Sequence, residues 1–120
     1  MILSLSLPRV GESTGHATVH RLLARTGDVL RPGTALLEVR VDLGAAKAQD
    51  CPPLFYFRII ATEHAHLRAL QVSPGEALEV GRSFGVATTE MSESFAEPAI
   101  RKLRTTSVAI QVDPLAAKTP

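Results

Sequence analysis

The sequence predicts an all-β domain, and three observations lead to this prediction. Apolar and polar residues alternate at the start, where Leu3, Leu5 and Leu7 are separated by serines. Short β-like runs then follow one another between glycine and proline turns. A pattern of strands and turns also occurs twice along the chain. Many short strands with closely spaced turns are typical of a β-sandwich or barrel.

The predicted strands are short and end at recognisable turns. The period of two puts the three leucines on one face of the first strand, and Pro8 ends its pairing because proline has no backbone N–H. Turns are expected at Gly27, Gly33 and Gly75, where glycine can adopt a positive φ. The other predicted strands cover residues 17–24, 36–41, 55–61, 67–72 and 84–88.

The internal repeat relates residues 19–39 to residues 67–87. Gly27 corresponds to Gly75 and Gly33 to Gly81, an offset of 48 positions (75 − 27). Leucines and the acidic residue of the first turn also match between the copies. We therefore expect two four-stranded antiparallel sheets, related by a pseudo-twofold axis and packed face to face, over residues 1–89.

The remaining residues, 90–120, form a short C-terminal tail with a different composition. Its first part, to residue 97, is largely polar and typical of a linker. Pro98 then stands at a plausible first helical position, which predicts a helix to Arg104. Val108, Ile110 and Val112 alternate instead, as in a strand. The tail is expected to be partly helical or extended.

Composition excludes several classes of function. The chain has 120 residues, 45% of them hydrophobic, and a net charge of +1. Binding to nucleic acid or to an anionic membrane surface needs a clustered basic excess, which is missing here. No apolar stretch approaches the roughly 20 residues that cross a bilayer. With Cys51 as its single cysteine, the chain is expected in a reducing compartment, and we place it in the cytoplasm.

Three motifs bring a known family into view. The segments LPRVGES, RTGDVLRPGTALLEVRVD and SPGEALEVGRSF resemble the lipoyl domains of dihydrolipoamide acyltransferases, with biotinyl domains as close relatives. The resemblance implies a barrel-sandwich hybrid fold. In the tail, AEPAIRKL at residues 96–103 is similar to the start of the peripheral subunit-binding domain that follows the lipoyl domain in those enzymes. No acyltransferase catalytic domain accompanies it.

The sequence departs from this family at the attachment site. In the family a lysine directly follows the acidic residue that matches Asp42, and a tight hairpin presents it. Leu43 stands in that place and has no amine to carry lipoate or biotin. The loop is also longer, with twelve residues between Val41 and Leu54. Lys47 lies inside this loop, which leaves open the alternative of a true carrier with lipoate or biotin on Lys47.

The resemblance and its departure predict a non-catalytic docking or scaffolding module. Its expected partners are proteins, and the resemblance implies components related to 2-oxo acid dehydrogenase complexes. Phe55 and Phe57 are expected in the core, with Tyr56 on the opposite, exposed face. No nucleophile with an activating partner and no phosphate loop is recognisable, so no enzymatic activity is expected. The candidate contact residues are Asp42, Leu43, Lys47, Tyr56, Arg101 and Lys102.

A third interpretation concerns the histidines. His64 and His66 share a face if they lie on a strand, and His16 and His20 do so as well. The 48-residue offset (64 − 16) relates His16 to His64. Neutral imidazole binds zinc, copper or nickel, so a metal-binding module remains an alternative.

Overall fold

A computed structural model describes residues 1–8, 16–42 and 54–110 of the chain. Over these ranges it contains strands and no helix, which confirms the predicted all-β class. In this part of the chain no helix is long and apolar enough to cross a membrane. The strands are β1 (Ile2–Ser6), β2 (His16–Leu22), β3 (Val29–Leu30), β4 (Ala35–Asp42), β5 (Leu54–Ala61), β6 (Ala65–Leu70), β7 (Ala77–Glu79), β8 (Ser83–Thr88), β9 (Arg101–Lys102) and β10 (Thr105–Ile110).

The described strands form two sheets of five strands each. The first sheet has the order β3-β6-β8-β1-β9, and the second has the order β10-β5-β4-β2-β7. Neighbouring strands are antiparallel, except that β9 runs parallel to β1. Residues before 89 provide four strands to each sheet. Each sheet is one strand wider than predicted because the tail adds β9 to the first and β10 to the second.

The two copies of the repeat have the same local structure and exchange their short strands. β3 pairs with β6, and β7 pairs with β2, so each copy extends the sheet of the other. The Gly27 amide donates to the Leu67 carbonyl at 2.8 Å, and the Gly75 amide donates to the Val19 carbonyl at 2.8 Å. These two bonds are related by the 48-residue offset (75 − 27). Both glycines have positive φ, 100° and 94°, as the turn prediction requires.

The core lies between the sheets and is made of the inward-facing residues of the strands. Leu3, Leu5 and Leu7 are buried, which confirms the face predicted from their alternation with serine. Phe84 is the largest of the fully buried side chains. Burying a leucine or phenylalanine side chain contributes roughly 1.5–3 kcal/mol, so this apolar layer is the main source of cohesion between the sheets.

The tail is extended where a helix was predicted, so the helix expected from Pro98 to Arg104 is wrong. The Ile100 amide donates to the Ile2 carbonyl, and the Leu103 amide donates to the Ser4 carbonyl, each at 2.8 Å. These bonds to the edge of the first sheet, together with the buried Leu103 side chain, outweigh local helix propensity. The alternative of a strand is confirmed for residues 105–110; Val112 lies outside the described residues.

Candidate binding surface

The hairpin of β4 and β5 ends at the predicted attachment region. Its register runs to the pair Asp42–Leu54, so the structure brings the two ends of the loop together at one end of the second sheet. Two candidates in that loop, Leu43 and Lys47, lie outside the described residues, as does Cys51. The structure therefore describes the strand ends that flank the loop, at Asp42 and Leu54.

Tyr56 lies on the outer face of the second sheet, as predicted. It pairs across the strands with Arg40, and its ring meets that of His20 edge-on, with 4.9 Å between the ring centroids. The tyrosine is half-buried, because His20 covers part of it. Phe57 packs against the core as expected, but Phe55 is 44% exposed. Phe55 is one residue from the beginning of β5, beyond the better-covered centre of the sheet.

A buried carboxylate holds the centre of this outer face. Glu38 accepts from Nε of Arg21 at 2.7 Å and from Nη2 of Arg58 at 2.7 Å. Its side chain is only 3% exposed, against 57% for Arg21 and 39% for Arg58. Burial alone would raise the pKa of the Glu38 carboxyl, but the hydrogen bonds from the two arginines outweigh it and lower the pKa below its ordinary value. The carboxylate is therefore ionised, and both of its oxygens accept hydrogen bonds from arginine.

Sequence reasoning missed this cluster. The three residues come from β2, β4 and β5, and only the cross-strand pairs Arg21–Glu38 and Glu38–Arg58 bring them together. The available signal is Glu38 itself, a single acidic residue in the otherwise apolar run ALLEV. Alternation places it on the outer face, but alternation does not show which residues of the neighbouring strands stand beside it.

We call the surface formed by His20, Arg21, Arg40, Tyr56 and Arg58 the arginine face. On these three strands its described side chains include three guanidinium groups against the single carboxylate of Glu38. Arg40 is exposed and has no ion-pair partner among the described side chains. Guanidinium groups donate in a planar fork that matches a carboxylate, and the neighbouring ring offers an apolar contact. The arginine face can therefore bind carboxylate-bearing ligands.

The tail candidates Arg101 and Lys102 lie elsewhere, on β9 at the edge of the first sheet, and are not brought together with Tyr56. Arg101 donates to both oxygens of Glu63, at 2.7 and 2.8 Å. These hydrogen bonds, helped by one from the Arg104 amide, lower the pKa of Glu63 to about 2. The Arg101 guanidinium is therefore bound to Glu63 and stabilises the position of the tail. Lys102 is exposed beside a cavity of about 440 Å³.

The histidines only partly assemble. His64 and His66 are neighbours with ring centroids 5.4 Å apart, and the buried Nδ1 of His66 has no hydrogen-bond partner. Within the described ranges no group of three or more His, Cys, Asp or Glu side chains is placed to hold a metal ion. His20 lies on the other sheet against Tyr56, and the backbone of His16 begins β2.

Comparison of the chain with protein families, with curated proteins and with solved structures found no match in any of the three.

Proposed function

We propose that this protein is a lipoyl-like docking module that binds other proteins and performs no catalysis itself. The observation that carries the proposal is the β4–β5 hairpin. Its last described pair is Asp42–Leu54, and Leu43 follows Asp42 where the resembling family has its attachment lysine. A hairpin with an alkyl side chain at that position cannot form the amide that holds lipoate or biotin.

The exchange of short strands between the two repeats supports the same proposal. A barrel-sandwich hybrid with pseudo-twofold symmetry is the fold that the resemblance implies, and the paired turns at Gly27 and Gly75 are consistent with it. We propose that the partners are proteins related to 2-oxo acid dehydrogenase complexes, and that the protein works in the cytoplasm. The arginine face lies partly on the strands of this hairpin and gives such a partner an exposed, chemically distinct surface.

The second candidate is a true carrier, modified on Lys47 with lipoate or biotin. It is favoured by one observation, that Lys47 belongs to the loop between Asp42 and Leu54 and is the only lysine before the tail. In this case the protein would transfer an acyl, aminomethyl or carboxyl group between enzymes. Lys47→Ala would abolish that role while leaving the fold intact.

The test is the intact mass of the protein purified from its native host, followed by peptide mapping of residues 41–58. The docking role predicts an unmodified Lys47 in a host whose other lipoyl domains carry lipoate. A lipoyl or biotinyl mass on Lys47 contradicts it. Sedimentation with purified 2-oxo acid dehydrogenase components then measures docking directly, and shortening the loop between Asp42 and Leu54 should abolish it.

A further inference from the structure

The outer faces of the two sheets have equivalent positions, and one of them is already occupied by the chain itself. The 48-residue offset relates Arg68 on the first sheet to His20 on the second (68 − 20), and Thr88 to Arg40 (88 − 40). Residues 90–97, EMSESFAE, follow directly after this part of the first sheet. We call them the acidic segment.

The acidic segment binds the first sheet through its backbone and its aromatic ring. Arg68 donates through Nη1 to the Glu93 carbonyl at 2.6 Å, and its guanidinium carbon lies 4.6 Å from the centroid of the Phe95 ring. The Thr88 hydroxyl donates to the Glu90 carbonyl at 2.6 Å, and Thr88 is fully buried. The outer face of the first sheet thus accepts a segment through two backbone carbonyls and one aromatic ring.

The equivalent part of the second sheet carries more positive charge. Arg40 is exposed, whereas the equivalent Thr88 is buried. His20 forms an aromatic pair with Tyr56, whereas the equivalent Arg68 contacts the Phe95 ring. Arg21 and Arg58 share one carboxylate, so together they keep one positive charge in excess. An incoming carboxylate finds three guanidinium groups, and an incoming apolar side chain finds the edge of an aromatic pair.

We propose that the arginine face binds an acidic segment of a partner protein. The carboxylates of that segment are bound by Arg40 and by the outward sides of Arg21 and Arg58. An aromatic or aliphatic side chain of the segment packs against Tyr56 and His20. This proposal rests on the docking role and adds to it the chemistry of the partner.

The probe is a fluorescein-labelled peptide with the sequence of the acidic segment, EMSESFAE, titrated with the full chain by fluorescence anisotropy. A control peptide replaces its three glutamates by glutamine. We expect saturable binding of the acidic peptide, at least about tenfold weaker binding of the control, and weaker binding as salt is raised.

Variants locate the site. Arg40→Ala should weaken binding about tenfold, because a charge-assisted hydrogen bond to the carboxylate is lost. Arg82→Ala is the matched control, since Arg82 is an exposed arginine in the turn before β8 and outside the arginine face. It should change the dissociation constant less than about twofold. Arg68→Ala distinguishes binding at the first sheet from binding at the second. Because Arg68 lies on the first sheet, this variant should bind the added peptide at the second sheet as tightly as the wild type does.

Three outcomes overturn the proposal: absence of binding, equal binding of the glutamine peptide, or a loss caused by Arg68→Ala and not by Arg40→Ala. Tighter binding of an eight-nucleotide single-stranded DNA than of the peptide, lost in Arg40→Ala, would instead assign the surface to nucleic acid. The docking role is tested separately by sedimentation. If the dehydrogenase components still bind while the acidic peptide does not, the inference about the partner's chemistry is wrong and the docking role stands.

Discussion

The outer faces of the two sheets are built on equivalent backbone pairings but are stabilised differently. In the second sheet three adjacent strands align Arg21, Glu38 and Arg58, whereas in the first sheet the equivalent row is Ala69, Val86 and Ser4. The same register thus supports a charged bridge on one face and small, uncharged side chains on the other. Register sets which side chains meet, but it does not determine how they are stabilised.

The difference extends to how each face meets solvent. On the first sheet the acidic segment covers Thr88 and packs Phe95 on Arg68. On the second sheet the arginines themselves cover Glu38, and Arg21 and Arg58 remain 57% and 39% exposed. A face closed by its own chain is a structural surface. A face covered by partly exposed cations can bind a further anion, which is why we propose docking at the second sheet.

The largest effect is expected from Glu38→Ala. Removing the carboxylate leaves Arg21 and Arg58 side by side without their shared anion, and should lower the free energy of unfolding by about 3 kcal/mol. Urea denaturation at pH 7 measures it. The matched change in the first sheet, Val86→Ala, should cost only about 1 kcal/mol because it removes two methyl groups from a half-buried site.

A triple variant makes the comparison sharper. Arg21→Ala, Glu38→Val and Arg58→Ser together reproduce the row of the first sheet. Replacing a buried ion cluster by uncharged residues is often neutral, so its stability should lie within about 1 kcal/mol of the wild type. A loss as large as that of Glu38→Ala alone would show that the second sheet needs the charged bridge, and the equivalence of the two faces would then be wrong.

Glu63→Gln tests the tail, which the two sheets bind differently. Glu63 accepts hydrogen bonds from Arg101 and from the Arg104 amide. Arg101 lies in β9, which pairs with the first sheet, and Arg104 directly precedes β10, which pairs with the second. We expect a loss of about 1–2 kcal/mol at pH 7, since Arg101 is 35% exposed and solvent screens the pair. Glu97→Gln, an exposed carboxylate in the same tail, is the control.

The pH dependence of this loss has a defined sign. The pKa of Glu63 is about 2 in the folded protein and 4.5 for an ordinary glutamate. Its stabilisation is therefore fully present above about pH 4.5 and disappears as the pH falls towards 2. Urea midpoints of wild type and Glu63→Gln should converge across that window. A gap that persists at pH 2 would show that the glutamine changes the packing rather than the charge.

The turns should behave alike in both repeats. Gly27→Ala and Gly75→Ala should each cost about 1 kcal/mol, because alanine is strained at φ values of 100° and 94°. An added Cβ meets nothing within 4 Å at either position, so the backbone alone determines the cost. Urea denaturation of both variants checks this. Costs that differ by more than about 1 kcal/mol would contradict the equivalence of the repeats.

The sequence predicted what depends on local pattern. Alternation identified the buried leucines of β1, and the glycines at matched spacing identified two turns that have the same φ and equivalent hydrogen bonds. Both signals need only neighbours along the chain. The predicted strand ends at residues 41 and 55 fall one residue short of the observed pair Asp42–Leu54 at the base of the β4–β5 hairpin.

What the sequence could not predict depends on contacts between strands. The pairing of Arg21 with Glu38 follows a register shift between Val19 and Arg21, and no periodicity of a single strand shows such a shift. The prediction for the tail was wrong for a different reason. Pro98 and the helix formers after it predict a helix, but the Leu103 amide binds the Ser4 carbonyl and forces an extended chain. Local propensity was outweighed by a distant backbone partner.

The smallest expected effect comes from Phe95→Ala, which loosens the cover of the first sheet. Losing the contact between the Phe95 ring and Arg68 should cost about 0.5–1 kcal/mol. Met91→Ala, at an exposed side chain of the same segment, should cost less. Hydrogen exchange should quicken in residues 90–96 of Phe95→Ala and stay unchanged in β4 and β5. If the amides of β4 and β5 also exchange faster, the two faces are coupled through the core and a ligand on one would alter the other. If only the acidic segment responds, the first sheet is covered by a local contact, and the proposed ligand of the arginine face would bind independently of it.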